Sequence, residues 1–132
     1  AFATAGVGSN AMRVGVDEGP NLERNGIFEP LGTINIIALT NASLSEGAMV
    51  RSVITATEAK VVALQDMDIR SCYDRQLQAT GTGTDNMVIV SGSGARIHYM
   101  GGHAKMGELL AKAVTAATKE ALRKHHQGEL GG

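Results

Sequence analysis

The chain is 132 residues long, 43% hydrophobic and 19% charged, with 12 basic against 13 acidic residues and a formal net charge of -1. That length fits one domain with a buried core, and the charge balance gives no electrostatic reason to expect nucleic acid or an anionic membrane as a partner. A single cysteine, Cys72, excludes an internal disulfide; no apolar run is long enough to span a bilayer and the first residues do not read as a signal peptide, so a cytoplasmic location is expected.

Seventeen glycines stand against two phenylalanines, two tyrosines and no tryptophan. The core must therefore be built from Val, Ile, Leu, Met and Ala, crossed by many tight backbone passages. Residues 1–7, "AFATAGV", are short and β-compatible and run into a glycine turn at 6–10. The chain starts as though a strand were already under way, which leads us to expect that an N-terminal portion is missing. "AMRVGV" (11–16) alternates like a second strand, with Met12, Val14 and Val16 on one side. Residues 17–30 are polar, hold both prolines and read as an exposed loop.

"GTINIIALTN" (32–41) is the clearest strand, apolar enough to predict cover on both faces. Residues 43–67 predict a helix capped by Ser43 or Ser45, with a core stripe of Val50, Val53, Ile54, Thr57, Val61 and Leu64. Residues 68–78 show no period. "NMVIVSG" (86–92) predicts a buried strand, with "ARIHYM" (95–100) as its antiparallel partner across a Gly-Ser-Gly turn. Residues 103–124 predict a second helix with the stripe Met106, Leu109, Leu110, Ala113, Val114, Ala117 and Ala121, followed by a frayed tail. The order implies an α+β fold, an α/β sandwich in which two long helices pack on a mixed sheet, as a single domain over 1–132.

Four stretches could carry chemistry. "ATGTGTDN" (79–86) lacks the Gly-Lys-Ser/Thr of a P-loop and the third glycine of a dinucleotide fingerprint, and a strand follows it where both motifs need a helix. It is either a glycine turn feeding a sheet edge or a polar loop in which Thr80, Gly81, Thr82, Gly83, Thr84 and Asp85 meet a ligand. In "TATEAK" (55–60), Glu58 lies about 40° from Ile54 at 100° per residue, so it is drawn towards the interior as a general acid or base, or else pairs at the rim with Arg51 or Lys112. "YMGGHAKMGE" (99–108) sets Gly102, His103 and Lys105 at a helix start, an anion site or merely a tight connection. Thr33 opens the apolar strand: a nucleophile if a base takes its proton, otherwise a β-branched strand residue. No HxH, HExxH or CxxC spacing supports a metal among His98, His103, Asp85 and Glu58.

Taken together, "TAGVGSNAMRVG", "GTINIIALTNASLSEGAMVRSVITATEAKVVALQDMDIRS", "ATGTGTDNMVIVSG" and "GGHAKMGELLAKAV" closely resemble the adenosylcobinamide amidohydrolase family, named CbiZ, from about Thr4 to Val114. The resemblance implies hydrolysis of the amide that joins aminopropanol to a side chain of the adenosylated corrin ring, giving adenosylcobyric acid for coenzyme B12 synthesis. A more distant likeness links "GTINIIALTNASLS" and "TGTGTD" to the self-processing aminopeptidase and ornithine acetyltransferase group, whose nucleophile would correspond to Thr33, and implies a fold of that kind. On these likenesses the expected site joins the Gly6, Gly8 and Asn10 turn, the Thr33 and Asn35 strand entrance and the Thr80–Asp85 loop. Thr33 is the expected nucleophile, Glu58 or His103 the proton shuttle, and Asp85 an orienting group, with Gly102 and Lys105 binding substrate. The corrinoid is expected as substrate, with no other cofactor and no metal, and a homo-oligomer is allowed for. The competing class is a non-catalytic corrinoid-binding or regulatory module.

Overall fold

The computed structural model describes residues 1–19 and 32–130. Of the predicted exposed loop at 17–30, the part from 20 on lies outside the described residues. Three strands form the main sheet: β1 (Phe2–Ala5), β3 (Ile34–Leu39) and β6 (Asn86–Val90), in the order β1-β3-β6. β1 runs antiparallel to β3, and β3 runs parallel to β6. Two helices, α1 (Glu46–Asp66) and α2 (Lys105–Leu130), pack against each other, and α2 also lies along β1. This mixed sheet under two long helices is the α+β architecture expected.

The sheet faces the helices with one side only. Along β3, Ile34, Ile36 and Ala38 are buried while Asn35, Ile37 and Leu39 are exposed, the alternation that side chains on a pleated strand impose. The prediction of cover on both faces of β3 is therefore corrected: the run is apolar throughout, but only every second residue meets a helix.

Two short strand pairs bracket the sheet. β2 (Ala11–Met12) pairs antiparallel with β5 (Gly81–Thr82) near the start of β3, and β4 (Ser43–Leu44) pairs parallel with β7 (Arg96–Ile97) beyond its end. The predicted strand at 11–16 stops at Met12. Val16 and Asp17 donate their N–H groups back to the Arg13 carbonyl, and the Asp17 carboxylate accepts the Arg13 N–H at 2.7 Å, so the segment closes as a turn with Val14 and Val16 outside. Residues 95–100 do not fold back on β6. The N–H groups of Gly92 and Gly94 donate to the carbonyls of Ala42 and Asn41, which carries the chain across the exit of β3 and delivers Arg96 to Ser43.

α1 starts as predicted, with the Ser45 hydroxyl accepting the Ala48 N–H, a cap worth about 1 kcal/mol. Its buried face is Ala48, Ser52, Thr55, Ala56, Ala59, Ala63 and Leu64. Of the predicted stripe only Leu64 is buried; Val50, Val53 and Ile54 face out. Small residues let the helix axis come close to its neighbours, so closeness, not side-chain hydrophobicity, chose the inner face. On α2 the buried positions are Gly107, Val114, Thr118 and Leu122, and Leu109 of the predicted stripe is exposed. The predicted frayed tail is helical as far as Leu130.

Candidate functional site

Three separated stretches meet at the start of β3. The turn after β1 arrives because the Gly6 N–H donates to the Thr33 carbonyl at 2.8 Å, extending the β1-β3 ladder by one rung. At this crossing a Cβ on Gly32 would overlap the Gly6 carbonyl, so the approach needs glycine there. The Gly32 N–H is held in turn by the Ser9 hydroxyl at 3.0 Å. The third stretch, 80–85, arrives through the β2-β5 pairing and through the Gly83 N–H, which donates to the Asn10 carbonyl.

Asp85 organises the loop. One carboxylate oxygen, Oδ1, accepts the Ile34 N–H at 3.2 Å and the Thr82 hydroxyl at 2.6 Å; the other, Oδ2, accepts the Thr82 N–H at 3.1 Å and the Lys60 ammonium at 2.5 Å. Lys60 reaches in from α1, and the two side chains are only 11% and 16% exposed. A carboxylate with its lone pairs taken up in this way is a fixed strut, binding α1, β3 and the 80–85 loop together.

Around the Gly32–Thr33 peptide sit hydroxyl and amide groups. The Thr33 hydroxyl donates to the Thr84 carbonyl at 2.7 Å, and the Thr84 hydroxyl donates to the Gly32 carbonyl at 3.1 Å. Asn10, 3% exposed, donates its side-chain N–H to the same Gly32 carbonyl at 3.4 Å. The Tyr73 hydroxyl donates to Asn10 Oδ1 at 3.1 Å, which sets the orientation of that amide. Outward from Thr33, the side chains of Thr4, Asn35 and Asn86 form one hydrogen-bonded row across the sheet, and Asn86 also donates to the Thr84 carbonyl.

The cluster thus gathers Gly6, Asn10, Thr33, Asn35, Gly81, Thr82, Gly83, Thr84 and Asp85. Gly8 is exposed in the adjoining turn. Thr80 accepts the Val14 N–H and donates to the Met12 carbonyl, so its hydroxyl props the neighbouring turn.

Four predicted residues stand elsewhere. Lys60 points at Asp85, and a residue two positions earlier on a helix is turned about 160° away, so Glu58 faces the groove between α1 and α2 beside Lys112 and Lys119. Gly102, His103 and Lys105 belong to the opposite end of the sheet, where the segment beginning at Met100 packs with Ala42, Leu44 and Ala48 beyond the exit of β3. The strand between these ends is six residues, roughly 20 Å. There His103 lies against Tyr99, ring centroids 5.2 Å apart, and Lys105 pairs with Glu108 at 2.5 Å. Lys105 and Lys112 beside it hold the Glu108 carboxyl below its ordinary value.

Sequence reasoning missed Lys60, Tyr73 and Ser9. Lys60 sits in the motif that drew attention to Glu58, but a helix lysine reads as a solvated one; Tyr73 falls in the stretch without period. Among the described residues no three of His, Cys, Asp or Glu gather closely enough to hold a metal ion, and no helix is long and apolar enough to cross a membrane.

The model of the adenosylcobinamide amidohydrolase family matches residues 1–129. An uncharacterized protein of Methanocaldococcus jannaschii is 50% identical over 135 residues, covering 94% of this chain and 53% of its own length. A Methanosarcina mazei protein named adenosylcobinamide amidohydrolase is 35% identical over 101 residues, covering 69% of this chain and 46% of its own. The chain therefore spans about half the length of the relatives it matches. No solved structure matches it at a significant level. With the family pattern running through nearly every described element, the chain belongs to the adenosylcobinamide amidohydrolase family.

Proposed function

We propose that this chain carries the reacting centre of an adenosylcobinamide amidohydrolase, cleaving the amide between aminopropanol and the corrin side chain to leave adenosylcobyric acid. The observation that supports the reading most is the meeting of the 6–10 turn, the Gly32–Thr33 strand entrance and the 82–85 loop around one hydroxyl, Thr33. Amide hydrolysis needs an oxygen nucleophile, donors for the oxyanion and a proton for the leaving amine. Thr33 supplies the oxygen: its Oγ1 bonds to the substrate carbonyl carbon, the C–N bond breaks, and the amine leaves with a proton. Water then cleaves the resulting ester, regenerating the hydroxyl and releasing the carboxylic acid. The Asn10 amide and the Thr84 hydroxyl, which both donate to the Gly32 carbonyl beside Thr33, are the side-chain donors that would turn to the oxyanion. The row Thr4–Asn35–Asn86 offers donors and acceptors to the carboxamides on the rim of a corrin ring.

The Thr84 carbonyl accepts the Thr33 proton in a hydrogen bond but is too weak a base to remove it. Glu58 and His103 stand away from Thr33, so in this reading the Oγ1 proton passes to the departing amine nitrogen as the C–N bond breaks. Incubation with adenosylcobinamide, with aminopropanol followed by mass spectrometry, tests the reading. Thr33→Ala should lower turnover at least about 100-fold while leaving corrinoid affinity nearly unchanged. Tight corrinoid binding by the wild-type chain with no aminopropanol released would instead favour a corrinoid-binding module. Undiminished turnover by Thr33→Ala would remove Thr33 from the chemistry.

A further inference from the structure

The outer face of the sheet is sorted by chemistry along its length. In register across β1, β3 and β6, the row nearest the site is Thr4–Asn35–Asn86, the next is Phe2–Ile37–Val88, and the last is Leu39–Val90. The first row is polar and hydrogen-bonded to itself. The other two are wholly apolar, carry no charge, and are exposed to between 39% and 69%. A sheet facing water normally presents polar side chains on that side, so five adjoining apolar ones describe a surface made to be covered.

The size of this patch says what covers it. Three strands at their usual spacing and six residues of length present roughly 300 Å² over the whole face, polar row included, well short of the roughly 800 Å² per partner that a stable association of separate molecules buries. A second copy of the chain docking on this face alone would be too weakly held. A layer from the same polypeptide, or from one that wraps further round the molecule, needs no such area from one face. The match covers about half of each relative, so each holds a comparable length of polypeptide outside the matched part.

We propose that the outer face of the β1-β3-β6 sheet is the docking surface for that other half of the family's polypeptide, which packs an uncharged apolar layer on Phe2, Ile37, Leu39, Val88 and Val90. The layer stops at the polar row, because covering Asn35 and Asn86 with apolar groups would waste their hydrogen-bonding capacity. Its edge then forms a wall beside Thr33 and Thr84; this last point rests on the amidohydrolase reading, whereas the docking itself does not.

The test is co-expression of this chain with the separately tagged half of the Methanocaldococcus jannaschii relative that it does not span. On a Cys72→Ser background, Val88→Cys reports on the outer face and Gln65→Cys on an exposed turn of α1. The expected result is a one-to-one complex in which a maleimide labels Val88→Cys at least about tenfold more slowly than Gln65→Cys, as burial in an interface requires. Val88→Asp should abolish co-purification while the helical circular dichroism of the chain is kept. Failure of the halves to associate, equal labelling at the two positions, disulfide cross-linking of Val88→Cys between two copies of this chain, or full association by Val88→Asp would each overturn the proposal. None of these readouts depends on catalysis.

Discussion

The two ends of β3 are held in different ways. At its start, side chains add to the backbone rungs: Ser9, Asn10, Thr84 and Asp85 all bond to backbone groups of residues 32–34. At its exit the joining is mostly backbone to backbone. Gly92 donates to Ala42, Gly94 to Asn41, Ser43 to Ala95 and Ser45 to Ile97, while Gly101 and Gly107 let the next turn pack close. Both ends are rich in glycine and hydroxyl residues in the sequence. Only the first leaves a hydroxyl and a side-chain amide aimed at a common point. The polar side chains of that first cluster are held in place by a shared strut, Asp85 with Lys60.

The largest effect that would sharpen this contrast is expected at that strut. Asp85→Asn leaves the Lys60 ammonium nearly buried without its counter-charge, and breaking such a pair costs about 3 to 5 kcal/mol. Urea unfolding should show that loss, and aminopropanol release should fall with it, because the amide nitrogen that replaces Oδ2 cannot accept the Thr82 N–H or the Lys60 ammonium. Adding Lys60→Met should restore much of the stability by removing the stranded charge, without restoring the turnover. If the single change unfolds no earlier than the wild type, the strut is not what holds the loop.

At the other end the expected loss is confined to stability. A Cβ on Gly92 would overlap the Asn41 carbonyl, which is backbone and cannot swing aside, so Gly92→Ala should cost about 1 to 3 kcal/mol. Its turnover at a temperature where it is fully folded should match that of the wild type. The comparison breaks if Gly92→Ala, still folded, loses aminopropanol release as Thr33→Ala does.

A smaller effect again is expected at His103. It is exposed, set at a tilt against Tyr99 and a strand's length from Thr33, so His103→Ala should change turnover by less than about twofold and stability by less than about 0.5 kcal/mol. A large fall in turnover at constant stability would bring the two ends of the strand into one site.

These contrasts also mark how far the sequence could be read. Strand β3 and both helices follow from apolar runs, a capping serine and glycine turns, because those signals are local, whereas the meeting of three stretches at Thr33 is expected only from the family likenesses. The inward face of α1 does not. Val50, Val53 and Ile54 make the more hydrophobic stripe, yet Ala48, Ala56, Ala59 and Ala63 are buried, a choice made by how closely the helix can approach its neighbours. The inward reading of Glu58 fails with that stripe while its rim alternative beside Lys112 is nearer the structure, and Lys60 escapes for the same reason: once the helix is turned to bury its alanines, position 60 meets Asp85 and position 58 does not. The pairing of β7 with β4 was equally hidden, since parallel partners distant in sequence leave no turn to announce them.

The smallest expected effect concerns pH. The Asp17 carboxyl is held below its ordinary value, first by the hydrogen bond from the Ser71 hydroxyl, then by the one from the Arg13 N–H, with the Arg13 charge contributing less. A group whose pKa is lower folded than unfolded adds stability above the unfolded value and loses it as the pH falls through the folded one. The loss should therefore begin below about pH 4, where a free aspartate starts to take up its proton. Asp17→Asn replaces the carboxylate with a group that does not titrate, so thermal midpoints should decline less steeply for this variant between neutral and acid pH. Parallel declines in the two proteins would mean that the turn at 13–17 opens without affecting the fold. Because the Asp17 carboxylate bonds to the Arg13 N–H and the Ser71 hydroxyl and not to the groups around Thr33, turnover at neutral pH should be the same in both.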